Sequence, residues 1–341
     1  MNNILKRNNR IDFLKGLIIL LVVWGHTIQF ANNGEFDFFL NPIFIFIYTF
    51  HMPLFVFIGG YLFLYSVSNK RCSKVIINKI KQLVVPIVCW STTYYLLTHL
   101  LTGNSISIVN LINRYISSFW FLFTLFVITL IVVFVHKYFM DNVFIYAIMA
   151  ILILSLPEGF NLVYVKFMYP YFVLGYLLNK HKIKLRKYND FIGISCIILF
   201  VVLLTGWTKP YYIYTTGMSL YVDNIFNKLF IICYRYLSGL TGSVFFIYIT
   251  YKTYKENANK NIINIIGKYT LGIYIIQTYI MILLARVTIP NFLVNNFFIY
   301  NFIFTPVLTT LIIGFCIGVS LFIKKNKYLN AMFLGGRLAR I

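Results

Sequence analysis

Long apolar runs recur along the whole chain and are separated by short polar segments. We count ten runs of spanning or near-spanning length, at about residues 13–31, 43–66, 83–101, 118–136, 143–157, 162–178, 190–207, 225–250, 269–286 and 300–323. The runs are continuous and do not alternate with a period of two, so they predict helices rather than the strands of an outer-membrane barrel. The pattern predicts an all-α fold, a polytopic transmembrane helical bundle of about ten spans.

Basic residues are concentrated in every second connection between these runs. Placing both termini in the cytoplasm puts 24 of the 30 Lys and Arg residues in cytoplasmic segments. The first connection, residues 32–41, carries Glu35 and Asp37 and has no Lys or Arg. By the positive-inside rule this asymmetry predicts cytoplasmic N and C termini.

Composition agrees with this interpretation. Of the 341 residues, 60% are hydrophobic and 11% are charged, and the mean hydropathy is +0.81. A soluble protein of this size carries about twice that share of charged residues. The net charge of +22 would indicate nucleic-acid binding in a soluble protein, but here the cytoplasmic connections account for it. No long linker divides the chain, so we predict a single membrane domain over residues 1–341.

The first run carries a stripe of polar residues. His26 lies in its apolar part, eleven residues or three helical turns after Lys15, so the two side chains share nearly one face about 16 Å apart along the axis. Asp12 and Gln29 extend this stripe by three residues at either end. Ionisable residues within a membrane span usually face a protein interior or an aqueous cavity. The stripe therefore indicates a functional site.

A second histidine lies in the next run. His51, about nine residues from the outer end of that run, is expected at a depth similar to that of His26. A single membrane histidine is equally well explained as a hydrogen-bonded packing residue, but two at matched depth favour a site. Imidazole titrates near neutral pH and can accept the proton of a hydroxyl nucleophile. The five cysteines are scattered and suggest neither a disulfide framework nor a metal site.

Several motifs occur in the order found in a known family. They are RIDFLKGLIILLVVWGH, FHMPLFVFIGGYLF, KQLVVPIVCW, FWFLFTLF, MYPYFVLGYLL and IGKYTLGIYIIQ. Over residues 8–285 the chain resembles the membrane acyltransferase-3 family. The resemblance implies a ten-helix enzyme of the cell membrane that transfers an acyl group, usually acetyl from acetyl-CoA, to a hydroxyl of a surface glycan or a lipid-linked sugar.

The resemblance also suggests roles for individual residues. The functional pair of the family falls on His26 and Lys15, and the second-span histidine falls on His51. His26 would act either as the base on the acceptor hydroxyl or as a transient acyl carrier. Gln277 stands where the family usually has a histidine, so a reaction that needs a third histidine there is in doubt.

The donor in this hypothesis is a polyanion, acyl-CoA, which cytoplasmic cations can dock electrostatically. We expect Arg10, Lys15, Lys79 and Lys81 to contact it, although orientation in the membrane and contact with anionic lipid also explain such charges. The expected partners are acyl-CoA, a glycan or lipid-linked acceptor and membrane lipids, with no bound metal or cofactor. An exporter of glycan units without acyl transfer is the main alternative. An accessory subunit of a glycan synthase is a third.

Overall fold

The computed structural model describes residues 8–102, 107–181, 189–220, 224–254 and 261–336, in which every extended regular element is a helix. The basic residues predicted to be cytoplasmic at 182–187, 255–260 and 337–340 lie outside the described residues. The α-helices are α1 (Asn9–Phe30), α2 (Pro42–Ser68), α3 (Cys72–Lys79), α4 (Val85–Thr102), α5 (Ile108–Ser117), α6 (Trp120–Phe139), α7 (Val143–Ser155), α8 (Leu162–Lys180), α9 (Asn189–Thr205), α10 (Ile213–Thr216), α11 (Ile225–Thr253), α12 (Ile262–Lys268), α13 (Thr270–Leu284), α14 (Asn291–Val294), α15 (Thr305–Lys324) and α16 (Lys327–Leu334).

A helix occupies each of the ten predicted runs, but fewer of them have the length and hydropathy of a membrane span. Among the described residues six helices meet both conditions: Asn9–Phe30, Pro42–Ser68, Cys72–Leu100, Trp120–Phe139, Ile225–Thr253 and Ile299–Lys324. A bent pair, α12 with α13, raises the number to seven if it crosses as one span. The prediction of a multi-pass helical membrane protein is confirmed, whereas ten spans and cytoplasmic termini stay predictions.

Two helices lie where the sequence predicted basic connections. Residues 72–79 form α3, which runs through a π-helical segment, Ile80–Val84, into α4. The short helix α12 precedes α13 with a bend of 80° between them. The hydropathy average does not indicate a helix in either segment, because their lysines lower the mean. Each segment nevertheless buries an apolar face, which in α3 includes Val75.

The chain forms two compact units, each assembled from three stretches of sequence. The first unit comprises Met1–Phe55, Lys184–Lys209 and Tyr234–Ser320, and the second comprises Val56–Ile183, Pro210–Cys233 and Leu321–Ile341. The boundaries of the two units do not coincide with the boundaries of the predicted runs. The reason is that one helix can contribute to both units, as α2 does. The prediction of a single domain stays a prediction.

In the first unit, α1 packs against α12 with direct backbone contact. A Cβ atom at Gly267 would lie 1.8 Å from the carbonyl oxygen of Asp12, and one at Gly16 would lie 2.0 Å from that of Ile263. Only glycine permits this approach at either position. On another side of α1, the indole Nε1 of Trp24 donates to Thr305 Oγ1 at 3.0 Å. These contacts fix the helix that carries the predicted site.

In the second unit, a buried carboxylate organises the junction of α6, α7 and α8. Asp141 accepts hydrogen bonds from Lys180 Nζ at 2.6 Å and Tyr146 at 2.7 Å, and it contacts His136 Nδ1 at 2.8 Å. The Tyr176 hydroxyl lies 3.1 Å from both carboxylate oxygens. We call these five residues the Asp141 cluster.

Candidate active site

The N-terminal end of α1 carries three of the predicted charged residues. The Asn8 side chain caps the helix by accepting from the backbone N–H groups of Arg10 and Ile11. Asp12 is buried, and its carboxylate lies 3.6 Å from Lys15 Nζ. Asp12 therefore positions the ammonium group of Lys15, and the two side chains lie on one face of α1, as the polar stripe predicted.

Arg10 is held by aromatic rings of α11 and its C-terminal neighbour. Its guanidinium carbon lies 4.9 Å from the centre of the Tyr251 ring and 5.6 Å from that of Tyr254. Such stacking leaves the edge of the guanidinium group available for bidentate hydrogen bonds to phosphate or carboxylate. Arg10 and Lys15 thus place two cations at one end of α1.

Further along α1, His26 belongs to a hydrogen-bonded network with α2. His26 Nδ1 lies 3.0 Å from the Tyr48 hydroxyl, which also donates to Gln29 Oε1 at 3.1 Å. The predicted supporting residue Gln29 is therefore joined to His26 through a tyrosine. We call these three residues the His26 network.

His51 lies beside the same tyrosine. It is 3% exposed, its Nδ1 atom lies 2.8 Å from the carbonyl oxygen of Ile47, and its ring centre lies 4.7 Å from that of Tyr48. The His26 ring and the Tyr48 ring meet edge to face, with their centres 6.0 Å apart. The structure thus brings both predicted histidines against one side chain.

These contacts determine the tautomer of each imidazole. A carbonyl oxygen only accepts, so His51 carries its proton on Nδ1. With the Gln29 amide in its assigned orientation, the single Tyr48 proton goes to Gln29, so the Tyr48 oxygen accepts from His26 Nδ1–H. In both histidines Nε2 then keeps its lone pair, which is the requirement for a general base.

The two ends of this arrangement lie on one unbroken helix. Because α1 is helical from Asn9 to Phe30, the eleven residues from Lys15 to His26 correspond to about 16 Å along its axis. One continuous helix therefore carries both the ammonium group of Lys15 and the imidazole of His26.

The other predicted site residues are Gln277, Lys79 and Lys81. Gln277 of α13 is 2% exposed; its Nε2 donates to the Tyr274 carbonyl at 3.3 Å, and its Oε1 has no hydrogen-bond partner in the described part of the chain. Lys79 and Lys81 belong to the second unit. There, Lys79 Nζ lies 5.1 Å from the centre of the Phe63 ring, and Lys81 is exposed.

Sequence reasoning missed Tyr48, which connects the two histidines. A local signal was present, because Tyr48 precedes His51 by three residues and so lies on the same face of α2. Its contact with His26 depends on how α2 packs against α1, which no spacing within one helix reveals. Among the described residues, no group of three or more His, Cys, Asp or Glu side chains is arranged to hold a metal ion.

Comparison with known proteins identifies the family. The sequence model of the acyltransferase-3 family, described as an acyltransferase domain, matches residues 8–324, nearly the whole chain. The chain belongs to the acyltransferase-3 family. The resemblance predicted from the motifs is thereby confirmed, and the enzyme class of this family is the predicted one. The match begins at the cap of α1 and includes His26, His51 and Gln277.

Two curated relatives of this acyltransferase-3 chain are both named nodulation protein NolL. The one from Mesorhizobium japonicum is 26% identical over 238 residues, which cover 66% of this chain and 64% of the relative. The one from Sinorhizobium fredii is 26% identical over 220 residues, which cover 61% and 60%. The chain thus matches less than two thirds of the length of each relative. No solved structure gives a significant match.

Proposed function

We propose that this protein is an integral O-acyltransferase of the cell membrane that transfers acetyl from acetyl-CoA to a hydroxyl of a cell-surface or lipid-linked polysaccharide. The family supports acyl transfer. The observation that carries the proposal is the His26 network, which leaves Nε2 of a membrane-span histidine available to accept a proton. On the same helix Lys15 stands about three turns away from His26, and Arg10 stands about four and a half turns away.

In this proposal the donor binds by its phosphates at the N-terminal end of α1. Arg10 contributes a planar guanidinium group that suits phosphate geometry, and Lys15 contributes a point charge positioned by Asp12. That Lys79 and Lys81 also contact the donor stays a prediction. The donor is a substrate, so no resident cofactor is needed.

His26 acts as the general base in the transfer step. The acceptor hydroxyl attacks the thioester carbonyl carbon as its proton passes to His26 Nε2, and Tyr48 and Gln29 hold the ring in the required tautomer. The tetrahedral intermediate expels the CoA thiolate, which receives the proton from the imidazolium. The new ester bond forms, the thioester bond breaks and His26 returns to its starting state. His51, with the same tautomer beside Tyr48, is the second catalytic candidate.

The substitution His26→Gln tests the proposal, with His99→Gln in α4 as the matched control. Because a positioned general base contributes about 100-fold to 10,000-fold in rate, we expect His26→Gln to lower kcat for acyl transfer by at least about 100-fold. The assay uses the purified full-length chain in lipid nanodiscs with radiolabelled acetyl-CoA and membrane glycans. Insertion and folding are checked by size-exclusion chromatography.

The same assay separates acyl transfer from export. An exporter of glycan units has no use for imidazole titration, so glutamine at position 26 would leave its transport unchanged. Full acyl transfer by a normally inserted His26→Gln protein would contradict the assignment of His26. A wild-type protein that releases no CoA with any donor or membrane glycan would contradict the proposed function itself.

A further inference from the structure

A cavity opens at the end of α1 opposite to Arg10 and Lys15. Its volume is about 500 Å³, and its walls come from the segment between α1 and α2 and from the segment between α14 and α15. Both segments belong to the first unit. A volume of this size lies within the usual range of small-molecule sites, about 300–1,000 Å³.

Hydrogen bonds join the segment between α1 and α2 to the chain on either side of α14. The Asn33 side chain donates to the Ile289 carbonyl at 2.6 Å and accepts from the Ile289 N–H at 3.0 Å. At the base, Asn41 Nδ2 donates to Asn301 Oδ1 at 2.9 Å, and both side chains are buried. A pocket whose walls are fixed before binding loses less conformational entropy when a ligand enters. The cavity is therefore a formed site.

The lining combines acceptor oxygens and amides with aromatic rings. Glu35, Asp37 and Asn295 offer polar groups at the mouth, and Phe36 and Phe297 offer rings. Carboxylates accept hydrogen bonds from hydroxyl groups, and amides both accept from them and donate to them, while a ring covers an apolar C–H surface. A sugar has both kinds of surface, with hydroxyls at its rim and C–H groups on its faces.

Charge restricts the ligand further. Of the described residues that line the cavity, none is basic, although the chain as a whole carries a net charge of +22. Lys209, outside the lining, donates to Asp37 at 2.6 Å, and this hydrogen bond holds the pKa of Asp37 below its usual value. One carboxylate is thus neutralised by its partner and Glu35 remains. Such a cavity repels polyanions, including acyl-CoA, and accepts neutral hydroxylated ligands.

Contacts connect the base of the cavity to the His26 network. The Tyr300 hydroxyl donates to the Ile28 carbonyl at 2.8 Å, and Ile28 follows His26 by two residues, about 3 Å along the helix axis. Phe44, in the turn of α2 that Asn41 caps, stacks on Tyr48 with ring centres 3.8 Å apart. Tyr300, which lines the cavity, thus contacts α1 beside His26, and Phe44 contacts Tyr48 of the His26 network.

We propose that this cavity binds a neutral sugar unit of the acceptor, held by Glu35 and Phe297 at the mouth, so that a neighbouring unit of the same acceptor presents its hydroxyl to His26. The inference rests on the proposed acyl transfer, and it adds the place and the charge preference of the acceptor. Donor and acceptor then approach His26 from opposite ends of α1.

The substitution Phe297→Ala tests the site, with Phe292→Ala as its matched control. Phe297 is 52% exposed and lines the cavity, whereas Phe292 in the adjoining helix α14 is 69% exposed and does not line it. We expect Phe297→Ala to raise the acceptor KM at least fivefold with kcat and the KM for acetyl-CoA unchanged, and Phe292→Ala to alter neither. An unchanged acceptor KM, or a changed donor KM, would overturn the proposal.

A binding measurement tests the cavity independently of catalysis. Saturation-transfer NMR on the wild-type protein in zwitterionic nanodiscs uses methyl hexosides as neutral probes and the matching hexuronates as anionic probes. We expect saturation of the neutral probes, its loss in Phe297→Ala, and none for the hexuronates, which Glu35 repels. Absence of hexoside binding, or equal binding of hexuronates, would refute the sugar site even if acyl transfer is observed. Hexoside binding without any acyl transfer would keep the site and reject the proposed function.

Discussion

Each of the two units contains a histidine beside a tyrosine hydroxyl, but the surroundings of the two histidines differ. In the Asp141 cluster, His136 contacts a buried carboxylate that also binds Lys180 and two tyrosines. In the His26 network the partners are a tyrosine and an amide, and within the described residues no carboxylate bonds to His26 or His51. The first arrangement fixes charges in place, whereas the second fixes only the tautomer.

His136 is therefore held as a structural group, whereas His26 is held in a way that suits the proposed role of a base. A carboxylate that accepts hydrogen bonds from an ammonium group, an imidazole and two hydroxyls has its lone pairs occupied by these partners, and it holds each partner in place. A tyrosine that accepts from Nδ1–H leaves the opposite nitrogen of the ring for a substrate. The difference can be tested by making the same substitution, histidine to glutamine, in each unit.

The largest contrast is expected between His51→Gln and His136→Gln. We expect His51→Gln to lower kcat about 100-fold because it removes a second imidazole with an available Nε2 beside Tyr48. We expect His136→Gln to keep kcat within about twofold, since glutamine can still hydrogen-bond to Asp141 and His136 is only one of its partners. Steady-state acyl transfer by both variants measures this, and equal kcat values would remove the contrast.

The next effect is on stability. Asp141→Asn leaves Lys180 without its carboxylate, and because the Lys180 side chain is 30% exposed, we expect a loss of about 2 kcal/mol rather than the larger penalty of a fully buried ion. Thermal unfolding in detergent measures the change. Asp190→Asn is the control, because Asp190 pairs with Lys252 at an exposed site, where the substitution should have little effect.

The pH dependence of unfolding provides a second measurement of the same variant. Burial raises the pKa of Asp141, but the hydrogen bonds from Lys180, His136 and Tyr146 outweigh it and hold the pKa below its usual value. The carboxylate thus contributes stability that is present above the unfolded pKa, about 3.9, and is lost as the pH falls through the lower folded pKa. We expect Asp141→Asn to have a flatter stability profile below about pH 4. An unchanged profile would show that the cluster adds no net stability.

The smallest effect is expected from Tyr48→Phe. The substitution removes the hydroxyl that joins His26 to Gln29 and keeps the ring between the histidines. Of the two hydrogen bonds lost, the one to His26 Nδ1 positions the proposed base, and its loss is worth about 1 kcal/mol, so we expect kcat to fall about fivefold to tenfold with little change in the KM for either substrate. Tyr95→Phe, which removes a hydroxyl bonded to the Ser107 carbonyl in the second unit, is the control. An equal fall in both variants would contradict the positioning role of Tyr48.

Residues close in sequence were predicted well. The contact of Lys15 with Asp12 follows from a spacing of three residues on one helix, and the continuity of α1 follows from its capped, apolar sequence. The Asp141 cluster was not predicted, because Asp141 and Lys180 lie 39 residues apart and are brought together by the packing of α6 on α8. The bend between α12 and α13 also escaped prediction, because a hydropathy average does not resolve a change of direction.

By itself the sequence determined that the chain is helical and membrane-embedded, that it belongs to its family, and that His26 and Lys15 share a helix. These properties depend on composition and on spacings within one helix, which the 3.6-residue repeat converts directly into geometry. Only the tertiary structure decided that Tyr48 connects the two histidines and that two distant loops enclose a cavity beyond them. Such contacts depend on the angle and register at which separate helices pack, and side-chain complementarity over the whole unit sets both.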